Sequence, residues 1–137
     1  MIGIVIVTHG QLAEVLIDTA ELIVGSRPEA MIAVSINITE DVDKLRGKVA
    51  RAIKEVTRKR GTLILTDMFG GTPSNLSYSF LKEDQVEVVS GVNLPIVIKA
   101  INSRERMGLR ELAESLESFG KRSISMASGI LRGNKRG

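Results

Sequence analysis

Ile2-Gly3-Ile4-Val5-Ile6-Val7, closed by Thr8-His9-Gly10, is a continuous apolar run rich in β-branched residues and ended by polar ones. A run this short with no polar alternation predicts a strand buried on both faces, as in a parallel sheet covered by helices. The next segment supports that reading. Residues 11–24 carry Leu12, Val15, Leu16, Thr19, Leu22 and Ile23 at three- and four-residue steps, a helical stripe expected to be core, and Gly25 follows as a C-cap.

The same alternation continues along the chain. Residues 31–36 read as a second strand. Thr39 reads as the N-cap of a helix, with Glu40, Asp41 and Asp43 where a helix N-terminus favours negative charge. Val42, Leu45, Val49, Ile53 and Val56 form its stripe, Arg58-Lys59-Arg60 its last turn, and Gly61 its end. Thr62-Leu63-Ile64-Leu65-Thr66 is a third buried strand. Thr72 before Pro73 predicts a helix start, capped by Thr72 and running to about Leu81. Val86-Glu87-Val88-Val89 is a fourth strand, Leu94-Pro95 opens a helix to about Ile101, and residues 109–119 form a last helix stopped by Gly120.

Ser123-Ile124-Ser125-Met126-Ala127 alternates polar and apolar residues, the period of a half-exposed strand. It is expected to lie antiparallel at the edge of the sheet. The expected fold is therefore α/β: a central, mostly parallel sheet of order 2-1-3-4, helices on both faces, and an antiparallel edge strand near the C-terminus. Residues 1–131 form one domain, and residues 132–137 are expected to be a basic, disordered tail.

Composition narrows the function. The 137 residues are 43% hydrophobic and 26% charged, which suits one soluble domain with a sizeable core. There is no cysteine and one histidine, so disulfides, thiol nucleophiles and Cys/His metal sites are excluded, and no metal or other cofactor is expected. The apolar start is interrupted at Thr8 with no basic segment before it, unlike a secretory signal. No apolar run approaches a membrane span, and a cytoplasmic protein is expected. A net charge of +3 with 3% aromatic residues offers little to nucleic acid.

In open α/β sheets, ligands bind outside the carboxyl ends of the strands where strand order reverses. Three polar groups fall there: His9 after strand one, Asp67 after strand three, and Ser90-Gly91 after strand four. With strands one and three adjacent, His9 and Asp67 face one crevice. A neutral imidazole is a nucleophile when one ring nitrogen is bare. A carboxylate accepting the other N–H fixes the tautomer and steadies the positive charge that forms on attack at phosphorus. Gly70-Gly71-Thr72 and the helix start at Pro73 can offer backbone N–H groups to phosphoryl oxygens, with the Thr72 hydroxyl and Ser74 as further donors. Thr8, Ser90, Gly91 and Asn93 form a secondary part of the pocket. Taken singly, each feature has a plain alternative: Asp67 as a turn cap, the paired glycines as an ordinary turn, Thr72-Pro73 as a simple helix start. Their coincidence at one crevice carries the reading.

Ile4-Val5-Ile6-Val7-Thr8-His9-Gly10, Asp67-Met68-Phe69-Gly70-Gly71-Thr72-Pro73-Ser74-Asn75 and Ser90-Gly91-Val92-Asn93-Leu94-Pro95 together resemble the IIA domain of the mannose family of the bacterial phosphotransferase system. The resemblance spans Met1 to about Leu131. It implies a phosphotransferase component working through a covalent phosphohistidine: His9 takes the phosphoryl group on Nε2 from the carrier HPr and passes it to a IIB component of a sugar permease, with Asp67 as its acidic partner. It also implies a homodimer, in some members with an exchanged last strand, and membrane association only through partners. Met68 and Phe69 stand where some members have Thr and Trp, so one hydroxyl contact to phosphate is absent. Two other roles use the same chemistry: a phosphorylation-controlled regulatory module without transport, and the phosphoryl donor subunit of dihydroxyacetone kinase. The segments around Pro73 and Pro95 look like the mannose type instead of the latter.

Overall fold

The computed structural model describes residues 1–133. Ten elements follow one another: β1 (Gly3–His9), α1 (Leu12–Val24), β2 (Met31–Ile36), α2 (Val42–Val56), β3 (Thr62–Thr66), α3 (Thr72–Tyr78), β4 (Val86–Ser90), α4 (Leu94–Ser103), α5 (Leu109–Arg122) and α6 (Ala127–Leu131). The four strands form one parallel sheet in the order β2-β1-β3-β4.

The strands' twofold period builds two cores. Ile4 and Ile6 of β1, with Leu63 and Leu65 of β3, pack with Ala13, Ile17 and Ala20 of α1, Ile96 and Val97 of α4, and Leu112 and Leu116 of α5. Val5, Val7 and Ile64 face the other way, onto Leu45, Val49 and Val56 of α2 and Leu76 of α3. This is why β1 reads as a solid apolar run: both of its faces are covered.

Several expectations are corrected. The antiparallel edge strand over residues 123–127 is not formed. Ser123 Oγ instead donates to the Gly120 carbonyl, the Asn93 amide donates to Ser123 Oγ, and α6 begins at Ala127. Those bonds hold Ser123 beside the start of α4. Alternation produces a strand only where a ladder partner lies within reach. Of the expected tail, Arg132 and Gly133 form a turn after α6, and residues 134–137 lie outside the described residues.

The expected core stripe of α1 is also corrected. Leu12, Val15, Leu22 and Ile23 are exposed, Leu22 by 84%, and the buried face is Ala13, Ile17 and Ala20. α1 carries two adjacent apolar faces, and the one with small residues lies against the sheet, where little space is left. Thr39 does not cap α2. Its N–H and hydroxyl both donate to Asn37 Oδ1, and the helix starts after Asp41. Arg58-Lys59-Arg60 lies past the end of α2, in a reversal closed by Gly61 N–H on the Arg58 carbonyl at 3.1 Å. α3 starts after Gly71 and ends at Tyr78, so Thr72 is its first residue and not its cap. Gly120 does not stop α5. A Cβ there would come within 2.6 Å of Ile96 Cδ1, so the glycine permits the close approach of α5 to α4.

Candidate functional site

Strand order reverses between β1 and β3: the chain leaves β1 toward β2 on one side and later builds β3 and β4 on the other. In the register, Val7 lies opposite Thr66 and Thr66 opposite Ser90. The next residues along β1 and β3 therefore emerge side by side at the carboxyl ends.

There His9 meets Asp67. Asp67 Oδ2 accepts the His9 backbone N–H at 3.0 Å and lies 2.8 Å from His9 Nδ1. One carboxylate oxygen thus holds both the main chain and the ring of the same residue. An ionised carboxylate can only accept, so the contact fits the tautomer with its proton on Nδ1, in which Nε2 is the bare nitrogen. The His9 side chain is 43% exposed, whereas that of Asp67 is only 13% exposed. Burial pushes the Asp67 carboxyl up, but the hydrogen bonds from the His9 backbone N–H and the His9 ring pull it down further. The carboxyl ends below its ordinary value and stays ionised near neutrality.

Gly71 borders the reactive side of the ring. A Cβ on Gly71 would stand 3.4 Å from His9 Cε1 and 3.7 Å from Nε2. Its φ of 95° and ψ of 169° lie in a region open to glycine almost alone. The approach to Nε2 is therefore kept clear by the one residue type that supplies neither side chain nor steric objection to this backbone. Gly70 also has positive φ, with open space where a Cβ would be. α3 begins directly after Gly71, and no side chain caps its start.

The other predicted site residues divide by what their polar atoms touch. Thr72 is half-buried at the start of α3, and Gly91 is exposed, its N–H donating to the Thr66 carbonyl. Ser74 is fully buried and its hydroxyl donates to the Gly71 carbonyl at 3.2 Å, which supports the loop from behind. Thr8 is fully buried and accepts the Ala13 N–H at 2.9 Å, tying the start of α1 beneath His9. Asn93 caps α4 by accepting the Ile96 N–H at 2.9 Å. Ser90 lies between two other hydroxyls, Thr66 at 2.8 Å and Tyr78 at 3.0 Å. His9 thus contacts Asp67 on one side and is bordered by Gly71 on the other, while the side chains of Thr8, Ser74, Ser90 and Asn93 bond to the frame around them.

Sequence reasoning missed Tyr78 and the apolar rim. Phe69 is 80% exposed, and Met68, Leu12, Val42 and Ile38 are exposed too. The Leu12 signal was present in the α1 stripe but read as core. Among the described residues, no group of three or more His, Cys, Asp or Glu side chains is arranged to hold a metal, and no helix is long and apolar enough to cross a membrane.

A family model described as "PTS system fructose IIA component" matches residues 3–117. The chain belongs to this family. It is 33% identical over 129 residues to the PTS system fructose-specific EIIA component of Bacillus subtilis, a match covering 93% of this chain and 88% of that protein. It is 32% identical to the PTS system mannose-specific EIIAB component of Escherichia coli K12, over 76% of this chain and 32% of that longer protein. Its fold matches the crystal structure of phosphotransferase system component EIIA from Streptococcus agalactiae with a TM-score of 0.82 at 26% identity, covering 93% of this chain and 98% of that one. In this IIA component, the family-matched segment contains the His9–Asp67 pair and the Gly70-Gly71 loop.

Proposed function

We propose that this IIA component carries a phosphoryl group on His9 Nε2, accepts it from phospho-HPr, and passes it to a IIB component. The observation that carries the reading is the His9 Nδ1–Asp67 contact at 2.8 Å, together with Gly71 bordering Nε2. The Nε2 lone pair attacks phosphorus, and the N–P bond of the donor breaks with its electron pair returning to the donor imidazole. The proton on Nδ1 stays where it is. The positive charge that develops on the His9 ring is met by the Asp67 carboxylate. The reverse sequence at the acceptor regenerates neutral His9.

The phosphoryl group brings about two negative charges. The segments around His9, Asp67 and Ser90 contain no Lys or Arg. The donors in this reading are therefore backbone N–H groups at Gly70, Gly71 and Thr72, with the Thr72 hydroxyl, while Ser74 braces the loop. Thr8, Ser90, Gly91 and Asn93 support the pocket. The chain works in the cytoplasm and reaches a permease only through its protein partners. β4 is the last strand of the sheet, with Lys82 bridging Val86 on it, and a second copy of the chain alongside this strand makes a homodimer.

The test is incubation with phosphoenolpyruvate, enzyme I and HPr. Intact mass rises by one acid-labile phosphoryl group, and His9→Ala gains none. An acid-stable phosphate, or labelling of the alanine variant, overturns the reading. Adding candidate IIB proteins then separates a transport carrier, which loses its label to one of them, from a regulatory module, which does not.

A further inference from the structure

We propose that Tyr78 is a positioning residue for the His9–Asp67 pair, acting through a chain of three hydroxyls, Tyr78–Ser90–Thr66; the inference rests on the reading of His9 as phosphoryl acceptor. Asp67 has to leave the end of β3 and turn its carboxylate across to β1, so its direction depends on how Thr66 is held. Thr66 is fully buried. Its carbonyl accepts the N–H groups of Gly91 at 3.0 Å and Val92 at 2.9 Å, and its hydroxyl donates to Ser90 Oγ at 2.8 Å. Ser90 Oγ in turn shares a hydrogen bond with the Tyr78 hydroxyl at 3.0 Å.

Tyr78 is the last residue of α3, the helix whose first residue follows Gly71. The segment from Thr66 through Asp67, Gly71 and α3 is therefore closed on itself: it leaves β3 at Thr66 and is tied back to Thr66 through Ser90. Tyr78 also meets this loop in the middle, with its ring 6.1 Å from that of Phe69 at an interplanar angle of 42°. Along the chain Asp67 thus lies between Thr66, which Tyr78 reaches through Ser90, and Phe69, whose ring Tyr78 meets directly. A carboxylate whose single oxygen must hold both the backbone and Nδ1 of His9 has little tolerance for a shift of its strand end.

The experiment compares Tyr78→Phe and Ser90→Ala with the wild type. Tyr78→Phe keeps the ring contact with Phe69 and removes only the hydroxyl. The readouts are the ring ¹⁵N shifts of the single histidine, which report the Nδ1–H and Nε2–H tautomers, and the rate of acceptance from phospho-HPr. The expected result is a tautomer mixture displaced from the wild-type ratio and acceptance slowed about tenfold, part of the ~100-fold that a 1 Å misplacement costs. Ser90→Ala should do the same, and the double variant should lose no more than either alone, because both cut one chain. Wild-type tautomer ratio and rate in Tyr78→Phe, with any change confined to the melting temperature, overturn the proposal. If Tyr78→Phe fails to fold, Ser90→Ala decides by the same criteria. The tautomer comparison needs no phosphate, so absence of phosphorylation in the wild type would count against the proposed function and leave the Tyr78 result readable.

Discussion

Gly71→Ala is the substitution whose consequence follows most directly from the geometry. The new methyl carbon would stand 3.7 Å from His9 Nε2 and 3.4 Å from Cε1, at the edge of the ring that phosphorus has to reach. A near-attack arrangement needs the reacting atoms about 3–3.5 Å apart, and a displacement of 1 Å costs roughly 100-fold in rate. A methyl in van der Waals contact with that edge displaces the incoming group by about this much, so acceptance from phospho-HPr should fall about 100-fold, equivalent to ~2.7 kcal/mol of barrier. The backbone at φ 95° and ψ 169° adds a separate cost, about 1–3 kcal/mol of folding stability. For a domain of this size that lowers Tm by roughly 3–12 °C. Gly70→Ala separates the two effects. It also puts a side chain at positive φ, 82°, but into open space. It should lower Tm as well, but, with its backbone N–H retained and no side chain against the ring, acceptance should fall less than in Gly71→Ala. The assay is single-turnover transfer from labelled phospho-HPr, run well below both melting temperatures. Wild-type rates in Gly71→Ala would show that phosphorus approaches by another path. Equal losses in both variants would show that strain, and not occupied space, is responsible.

Asp67→Asn keeps an acceptor for the His9 N–H groups but removes the charge, and should slow acceptance by about one to four orders of magnitude. The same residue governs part of the acid sensitivity. Its folded carboxyl lies below the ordinary value near 3.9, so its contribution to stability is complete above that value and is lost as pH falls through it toward the folded pKa. Melting curves between neutrality and strong acid should therefore fall less steeply below about pH 4 for Asp67→Asn than for wild type. Light scattering at micromolar concentration should give the mass of a dimer, and a monomer mass would remove the second copy from the edge of β4.

The solid apolar runs at β1 and β3, the glycine and proline punctuation between them, and a histidine and a carboxylate just past their ends were enough to derive a parallel α/β sheet and the crevice where its strand order reverses. Those features are local: a strand covered on both faces has to be apolar at every position, and a strand-end residue has to lie at the rim whatever the rest of the chain does. The meeting of His9 with Asp67 was legible for the same reason. What the chain alone did not decide depended on partners distant in sequence. α1 has two apolar faces, and only packing against the sheet and α4 selects Ala13, Ile17 and Ala20 over Leu12, Val15 and Leu22. Ser123-Ile124-Ser125-Met126-Ala127 has the period of a strand, but Ser123 is tied to Gly120 and Asn93, the Met126 carbonyl starts α6, and no ladder forms among the described residues. The sequence places Ser90 in the secondary part of the pocket, and only the register of β3 against β4 and the return of α3 bring Thr66 and Tyr78 to its hydroxyl. Periodicity reports which residues share a face. Which face is covered, and which hydroxyl meets which, is decided when elements far apart in the chain are brought together.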